Sequence, residues 1–233
     1  MTTFSKVMLN PLRRQGAKLL TSPQAMHAAV AGAFPPDIST SESRILWRVD
    51  SSKNSTVLYI VGPEKPSLEH IVEQAGWETR PGLSADYSRL LGSLKKGQRW
   101  RFEIVANPTY SEWRDGKRGK VKAHVSEKHQ LEWLYAKAPS AGFELAPIPE
   151  SSEDQLGKWK LTDIPQILER KTLDFQKSSQ AGKRRSRTKI VQARFSGVLE
   201  VSNADALRTT LQQGIGRARG YGCGLMTLAR IKE

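Results

Sequence analysis

Two tandem α+β units with antiparallel sheets are what the order of elements in this chain predicts. Three observations point there. The first 90 or so residues read strand, helix, strand, strand, helix, strand. The same order restarts after a junction rich in lysine and glycine. The clearest strands alternate apolar and polar residues, as half-buried antiparallel strands do.

Phe4–Leu9 reads as the first strand, followed by a polar, basic loop. Thr21-Ser22-Pro23 starts a helix, with a hydroxyl cap and a proline in the first turn. It runs to about Ala33 and stops before Pro35-Pro36. Arg44–Asp50 sets Ile45, Trp47 and Val49 against Arg44, Arg48 and Asp50, a half-buried strand with one polar face. Thr56–Val61 is β-branched and aromatic, hence a more buried strand. Ser67–Ala75 is a short helix, and Gly76-Trp77 opens another extended segment. This order is that of a ferredoxin-like, or RRM-like, unit and places a first domain at residues 1–92.

Asp86–Gln98, with Gly92, Lys95, Lys96 and Gly97, reads as the junction. Arg99–Ala106 then alternates Trp100, Phe102 and Ile104 with Arg99, Arg101 and Glu103, and Lys120–Val125 is a further extended candidate. Ser126 caps a helix to about Lys137, with Gly142 beyond its end. Phe143–Ile148 is extended, Glu150–Gly157 is a polar loop, and Thr188–Val201 has strand character broken at Gly197. Asn203 caps a last helix through Gln213, and Leu225–Ile231 closes as a strand. These elements make a second ferredoxin-like domain at residues 98–233, with insertions and no residue-level repeat of the first.

The 233 residues carry a formal net charge of +14 and only one cysteine, Cys223. A charge excess of this size is self-repulsive unless a polyanion neutralises it, and nucleic acid is the first candidate. A membrane is a poor second, because no run of about 18 apolar residues exists. Met1–Arg14 offers no apolar core for a signal peptide, so a cytoplasmic protein is expected. One cysteine permits neither an internal disulfide nor a thiolate zinc site, and no Asp/Glu/His cluster suggests another metal. Glu112 and Asp115, among Arg114, Lys117 and Arg118, read as loop salt bridges. The charge is clustered. No acid precedes Asp37, none lies between Phe175 and Leu199, and none lies between Asp205 and Glu233. Three acid-poor segments from both ends of the chain favour a shared binding surface.

Gly214–Gly224 places five glycines in eleven positions. That density permits positive backbone torsions and close approach of main-chain amides to an anion. Arg217 and Arg219 add charge, and Tyr221 offers a ring on which a base can stack. The segment is no P-loop, lacking Gly-Lys-[Ser/Thr]. It is no dinucleotide fingerprint either, since the spacing differs and it follows a helix instead of opening one.

Gly214-Ile215-Gly216, five residues, then Gly222-Cys223-Gly224 resembles the signature of the repeat-associated CRISPR protein superfamily. The wider ending, Gln212 to Ala229, is similar to the CasE family, the CRISPR-RNA endoribonucleases of the type I-E Cascade complex. Phe4–Leu9, a helix with one histidine, Ala33-Phe34-Pro35, Ile45–Asp50, Ala106-Asn107-Pro108 and Phe195–Leu199 agree with it in order. The resemblance implies metal-independent cleavage of CRISPR precursor RNA at the base of the repeat hairpin. The products would be a 2′,3′-cyclic phosphate and a 5′-hydroxyl, and the enzyme would stay on the hairpin among the other Cascade subunits. No cofactor is expected.

The family's histidine position is His27, which is the expected proton-transfer residue. Histidine titrates near neutrality, and on its helix His27 shares a face with Gln24 and Ala31 and not with the Met26, Val30, Ala33 stripe. Well-known members carry a tyrosine three residues earlier, where this chain has Gln24, which cannot donate a proton as a phenol does. The basic loop the family uses beside the RNA corresponds to Lys183, Arg184, Arg185, Arg187 and Lys189. These, with Gly214, Gly216, Arg217, Arg219, Gly222 and Gly224, are the expected RNA-binding residues. His70, His124 and His129 have no family match, and His129 is expected on an exposed helix face. A non-catalytic hairpin-binding subunit of the same architecture is the alternative. A general nucleic-acid binder is the third reading, disfavoured by an aromatic content of only 7%, since RNA-reading sheets need exposed aromatic residues.

Overall fold

The computed structural model of the chain describes residues 2–38, 44–114, 117–148, 156–176 and 187–231. Two antiparallel sheets dominate it. The first joins β1 (Thr3–Leu9), β2 (Leu46–Ser51), β3 (Thr56–Gly62) and β4 (Leu83–Asp86) in the order β2-β3-β1-β4. The second is built on β5 (Arg99–Ala106), β8 (Phe143–Leu145), β10 (Arg187–Val201) and β11 (Met226–Ala229), in the order β11-β5-β10-β8. Numbered within each half, both sheets contain the fourth, first, third and second strands in that spatial order. Two ferredoxin-like units, the expected α+β architecture, are therefore present.

The first sheet is covered on one face by α2 (Pro23–Ala31) and α3 (Glu69–Ala75). Met26 and Val30 of α2 and Ile71 and Ala75 of α3 bury against Val7, Leu9, Leu58 and Ile60. Its other face, through Leu46 and Val61, enters the core of the second half. There α5 (Glu127–Lys137) and α6 (Ala204–Gln213) set Trp133, Leu134, Leu207 and Leu211 on Trp100, Phe102, Ile104, Phe195 and Leu199. The expected helix caps are present. Ser22 accepts from the Ala25 amide, Ser126 from His129, and Asn203 from Asp205 and Ala206. Gly142 takes the left-handed conformation that ends the α5 region.

The structure also departs from the sequence expectation. The basic loop after β1 contains a helix, α1 (Arg14–Thr21). Its place is set by tertiary contacts. A Cβ on Gly16 would lie 2.0 Å from the Asn10 carbonyl oxygen, so only glycine lets the helix sit there. Arg13 donates to the Glu73 and Gly76 carbonyls at the end of α3 and pairs with Glu78, so it closes a helix end instead of joining a binding surface. Gly76 and Trp77 make only isolated bridges, and the fourth strand comes later, at Leu83–Asp86. The expected junction contains α4 (Ser88–Ser93), which Arg208 of α6 holds through the Leu91 and Leu94 carbonyls. Lys120–Val125 falls on β7 (Lys117–Ala123), which pairs with β6 (Thr109–Arg114) as a hairpin off the main sheet. Glu112 pairs with Lys122 of that hairpin, and Asp115 lies outside the described residues. An unforeseen strand, β9 (Gln166–Gln176), pairs with the first part of β10. β10 is not broken at Gly197. There a Cβ would lie 2.9 Å from Pro165 Cα, so the glycine admits a close backbone crossing. The register shifts between Arg194 and Phe195 instead. No described helix is long and apolar enough to cross a membrane.

Candidate active site

Helix α2 buries Met26 and Val30 and turns His27 outward, as the spacing of its apolar stripe requires. What faces His27 comes from the other end of the chain. Gly220 of the glycine-rich loop lies against the imidazole. A Cβ there would be 3.4 Å from His27 Cε1 and 3.5 Å from Nδ1, an ordinary contact distance. The Tyr221 ring stands 6.1 Å from the His27 ring, centre to centre, and 4.9 Å from Phe175 at the end of β9. Gln192 of β10 donates to the Tyr221 carbonyl and holds this part of the loop from beneath.

The loop's shape follows from its four signature glycines. Gly214, Gly216, Gly222 and Gly224 have φ of 73°, 77°, 79° and 91°, where a side chain is strained. Each is also packed against protein. A Cβ would fall 2.9 Å from Leu46 at position 214, 2.9 Å from Trp133 at 216, 2.8 Å from Trp47 at 222 and 2.7 Å from the Ile215 carbonyl oxygen at 224. Ile215 donates to the Gly224 carbonyl and Gly224 to that of Val105, which closes the loop at its base. Ala218, at φ 61°, is the only described residue other than glycine with positive φ.

Beneath the loop is a cleft of about 300 Å³ between the halves, lined by Trp47, Glu169, Lys171, Gln192, Arg194 and Tyr221 among others. At its base is an ion network that the sequence does not reveal. Arg48, 2% exposed, donates to both oxygens of Asp50 and to the Glu103 and Leu225 carbonyls. Arg194 also donates to Asp50, at 2.8 Å. Alternation along the strand puts Arg48 on a polar face. The second sheet covers that face, and Asp50 supplies the counter-charge that lets the guanidinium be buried. The only signal in the sequence is the Arg48–Asp50 pairing at i, i+2 on one strand face.

The other expected residues fall as follows. Lys183, Arg184 and Arg185 lie outside the described residues. The strands on either side of them are paired, Gln176 opposite Arg187 and Phe175 opposite Thr188. Arg187 makes a bidentate pair with Asp174, whose carboxyl it holds below the usual range. Both are surface groups, and such a pair is cheap to exchange for a phosphate. Lys189 is exposed on β10 and Arg217 on the loop. His70 bonds to the Ala29 carbonyl, and the His124 ring lies tilted against those of Tyr110 and His129; His129 is exposed on α5. Among the described residues no three His, Cys, Asp or Glu side chains are grouped to hold a metal.

Residues 4–230 match a family model described as CRISPR associated protein. The chain is 26% identical over 233 residues to the CRISPR-associated endoribonuclease Cse3 of Thermus thermophilus, covering 97% of this chain and 99% of the relative. It is 29% identical over 146 residues to the CRISPR system Cascade subunit CasE of Escherichia coli, covering 59% and 61%. A solved structure of CRISPR endoribonuclease Cse3 bound to a 19-nucleotide RNA superposes with a TM-score of 0.75 at 25% identity, over 98% of this chain and 99% of that one.

Proposed function

From the premise that this chain belongs to the CRISPR-associated protein family, in the branch of Cse3 and CasE, we propose that it is a metal-independent endoribonuclease of CRISPR precursor RNA. It cuts at the base of the repeat hairpin and stays bound to that hairpin in the cytoplasm as a subunit of a type I-E Cascade complex. The observation that carries this reading is the meeting of His27, from the first half of the chain, with Gly220 and Tyr221, from the C-terminal signature.

The 2′-oxygen attacks the phosphorus in line, and the bond from phosphorus to the 5′-oxygen breaks. The proton lost at the 2′-hydroxyl is matched by one gained at the 5′-oxygen. His27 carries a proton at this step, since an imidazole can accept one at one ring nitrogen and donate one from the other. Gln24 supplies no second acid. Tyr221 and Phe175 form an aromatic wall for the base beside the cut, and the basic segment around Lys183, Arg184, Arg185, Arg187 and Lys189 grips phosphates of the stem. Residues 1–92 form the domain that carries His27, and residues 98–233 the one that carries the basic and glycine-rich loops. Gly214, Gly216, Gly222 and Gly224 serve binding by shaping the loop that bears Arg217 and Arg219.

The test is cleavage of a stem-loop repeat RNA in EDTA, with mapped product ends. A 2′,3′-cyclic phosphate and a 5′-hydroxyl are expected. His27→Ala should abolish cleavage and leave hairpin affinity within about tenfold, since the imidazole is one contact among many. A metal requirement or a 3′-hydroxyl end refutes the chemistry. A wild-type protein that binds the hairpin without cutting it supports instead a non-catalytic hairpin-binding subunit.

A further inference from the structure

The glycine-rich loop has two sides, and only one of them faces His27. On the other is a cleft of about 500 Å³ between the loop, α5 and the β6–β7 hairpin. The cations lining it are Lys137, Arg217 and Arg219, and no Asp or Glu lines it. Among the described residues none of these three is in an ion pair. The cleft beneath His27 is the reverse case, since Arg48 and Arg194 there are met by Asp50 and Glu103. The arginines on one side of the loop are neutralised by the fold, and those on the other are not.

Arg219 is the unusual member. Its Nε is buried without a partner among the described residues. Its stem runs under the loop, with Cγ 3.2 Å from where a Cβ on Gly224 would lie. A side chain at position 224 would push the stem out, so the last signature glycine fixes where this guanidinium emerges. Burial, and then the charge of Arg44 just before β2, press Arg219 below the ordinary guanidinium range. An anion in the cleft removes both penalties, and the exposed Arg217 and Lys137 at its rim add charge without crowding it.

We infer that this second cleft binds a backbone phosphate of the RNA, separate from the phosphate that is cut. Arg219 is its half-buried anchor, and Arg217 and Lys137 are its rim. This rests on the RNA-processing reading above and extends it. A strand that reaches both His27 and this cleft crosses the glycine-rich loop, so the loop lies between two separately held phosphates.

The experiment pairs protein variants with RNAs neutralised one linkage at a time by methylphosphonate. The proteins are the full chain, Arg217→Ala/Lys137→Ala, and Arg219→Met, which keeps the stem volume. Affinity for the repeat hairpin is measured across a salt series. Both variants are expected to bind roughly tenfold more weakly, with a salt slope smaller by about 0.7–0.9 for each phosphate no longer neutralised. One neutral linkage away from the cut should weaken the wild type about tenfold, the rim variant less, and Arg219→Met least. Wild-type affinity and slope in both variants, or the same cost for every neutral linkage in all three proteins, overturns the cleft. A wild type that neither binds nor cuts any repeat hairpin overturns the functional reading instead.

Discussion

Replacing Gly222 by alanine separates the two things the glycine signature does. At φ 79° the substitution costs about 1–2 kcal/mol for the left-handed backbone alone. The new Cβ would also sit 2.8 Å from Trp47 Cζ3 and 3.1 Å from Cη2. Trp47 is only 6% exposed, so the ring has nowhere to go without moving its neighbours. Overpacking of that kind costs about 1–3 kcal/mol. The sum, about 2–5 kcal/mol, lowers Tm by roughly 5–15 °C for a chain of this size. Two other glycines divide the effect. Gly97 has φ 84° and open space, so Gly97→Ala should cost only the backbone part. Gly92 lies in α4 with nothing within 4 Å and no positive φ, so Gly92→Ala should stabilise by about 0.4–1 kcal/mol. The assay is thermal unfolding of the three variants, with single-turnover cleavage at about 20 °C, where all remain folded. Trp47 packs in the same cluster as Met26 and Val30 of α2. Its displacement therefore reaches His27, and cleavage should fall by at least about tenfold. Refutation would be Gly222→Ala melting with Gly97→Ala, or cleaving at the wild-type rate.

Three further outcomes are expected. Tyr221→Phe should keep cleavage within about threefold and Tyr221→Ala lose about tenfold or more, as the loss of a stacking ring requires; equal losses in both would show that the hydroxyl matters instead. Arg48→Ala should destabilise by about 1–3 kcal/mol, because it takes this donor from two carbonyls of the second half and leaves Asp50 with Arg194 alone; urea denaturation with an unchanged midpoint would remove the network from the account. Burial pushes the Cys223 thiol and the Tyr135 phenol each up to about 12, against about 8.5 and about 10 in the unfolded chain. Above about pH 8.5 the unfolded state sheds these protons while the folded state keeps them, so stability falls as pH rises toward about 12. Cys223→Ala should remove the first part of that fall, and a flat urea midpoint between about pH 8 and about pH 10.5 in the wild type would contradict it.

The order of elements and the helix caps are legible in the sequence because both are local. Ser22-Pro23, Ser126 and Asn203 announce helix starts through short-range hydrogen bonds, and β5 shows its pattern because one face is buried and the other is not. β9 escapes such a reading because it is exposed or half-buried throughout, which leaves little apolar periodicity. Helix α1 escapes it because its position depends on Gly16 fitting against Asn10 and on Arg13 reaching α3, contacts invisible along the chain. At the site, His27 and the glycine signature are each visible in the sequence, the first through the family resemblance. Their contact is not, since it joins residues 27 and 220 through the packing of two halves. Phe175 and Arg48 carry even less signal. Each owes its role to a surface contributed by another part of the fold.

The spacing of the signature can be understood from β2, the edge strand of the first sheet. Leu46 and Trp47 are consecutive on that strand, so their side chains point to opposite faces. Gly214 packs on Leu46 and Gly222 on Trp47. The loop therefore meets the edge strand on both faces, through Gly214 on one and Gly222 on the other. Leu46 belongs to the core cluster of the second half and Trp47 to that of the first. The residues between the glycine pairs are carried around the edge, and this brings Gly220 and Tyr221 to His27 on one side and Arg217 and Arg219 to the uncompensated cleft on the other. A shorter spacer would not pass the strand, and a longer one would release Gly220 from the imidazole. The glycine pairs thus fix the docking of the two halves, and the five residues between them fix where that docking delivers its chemistry.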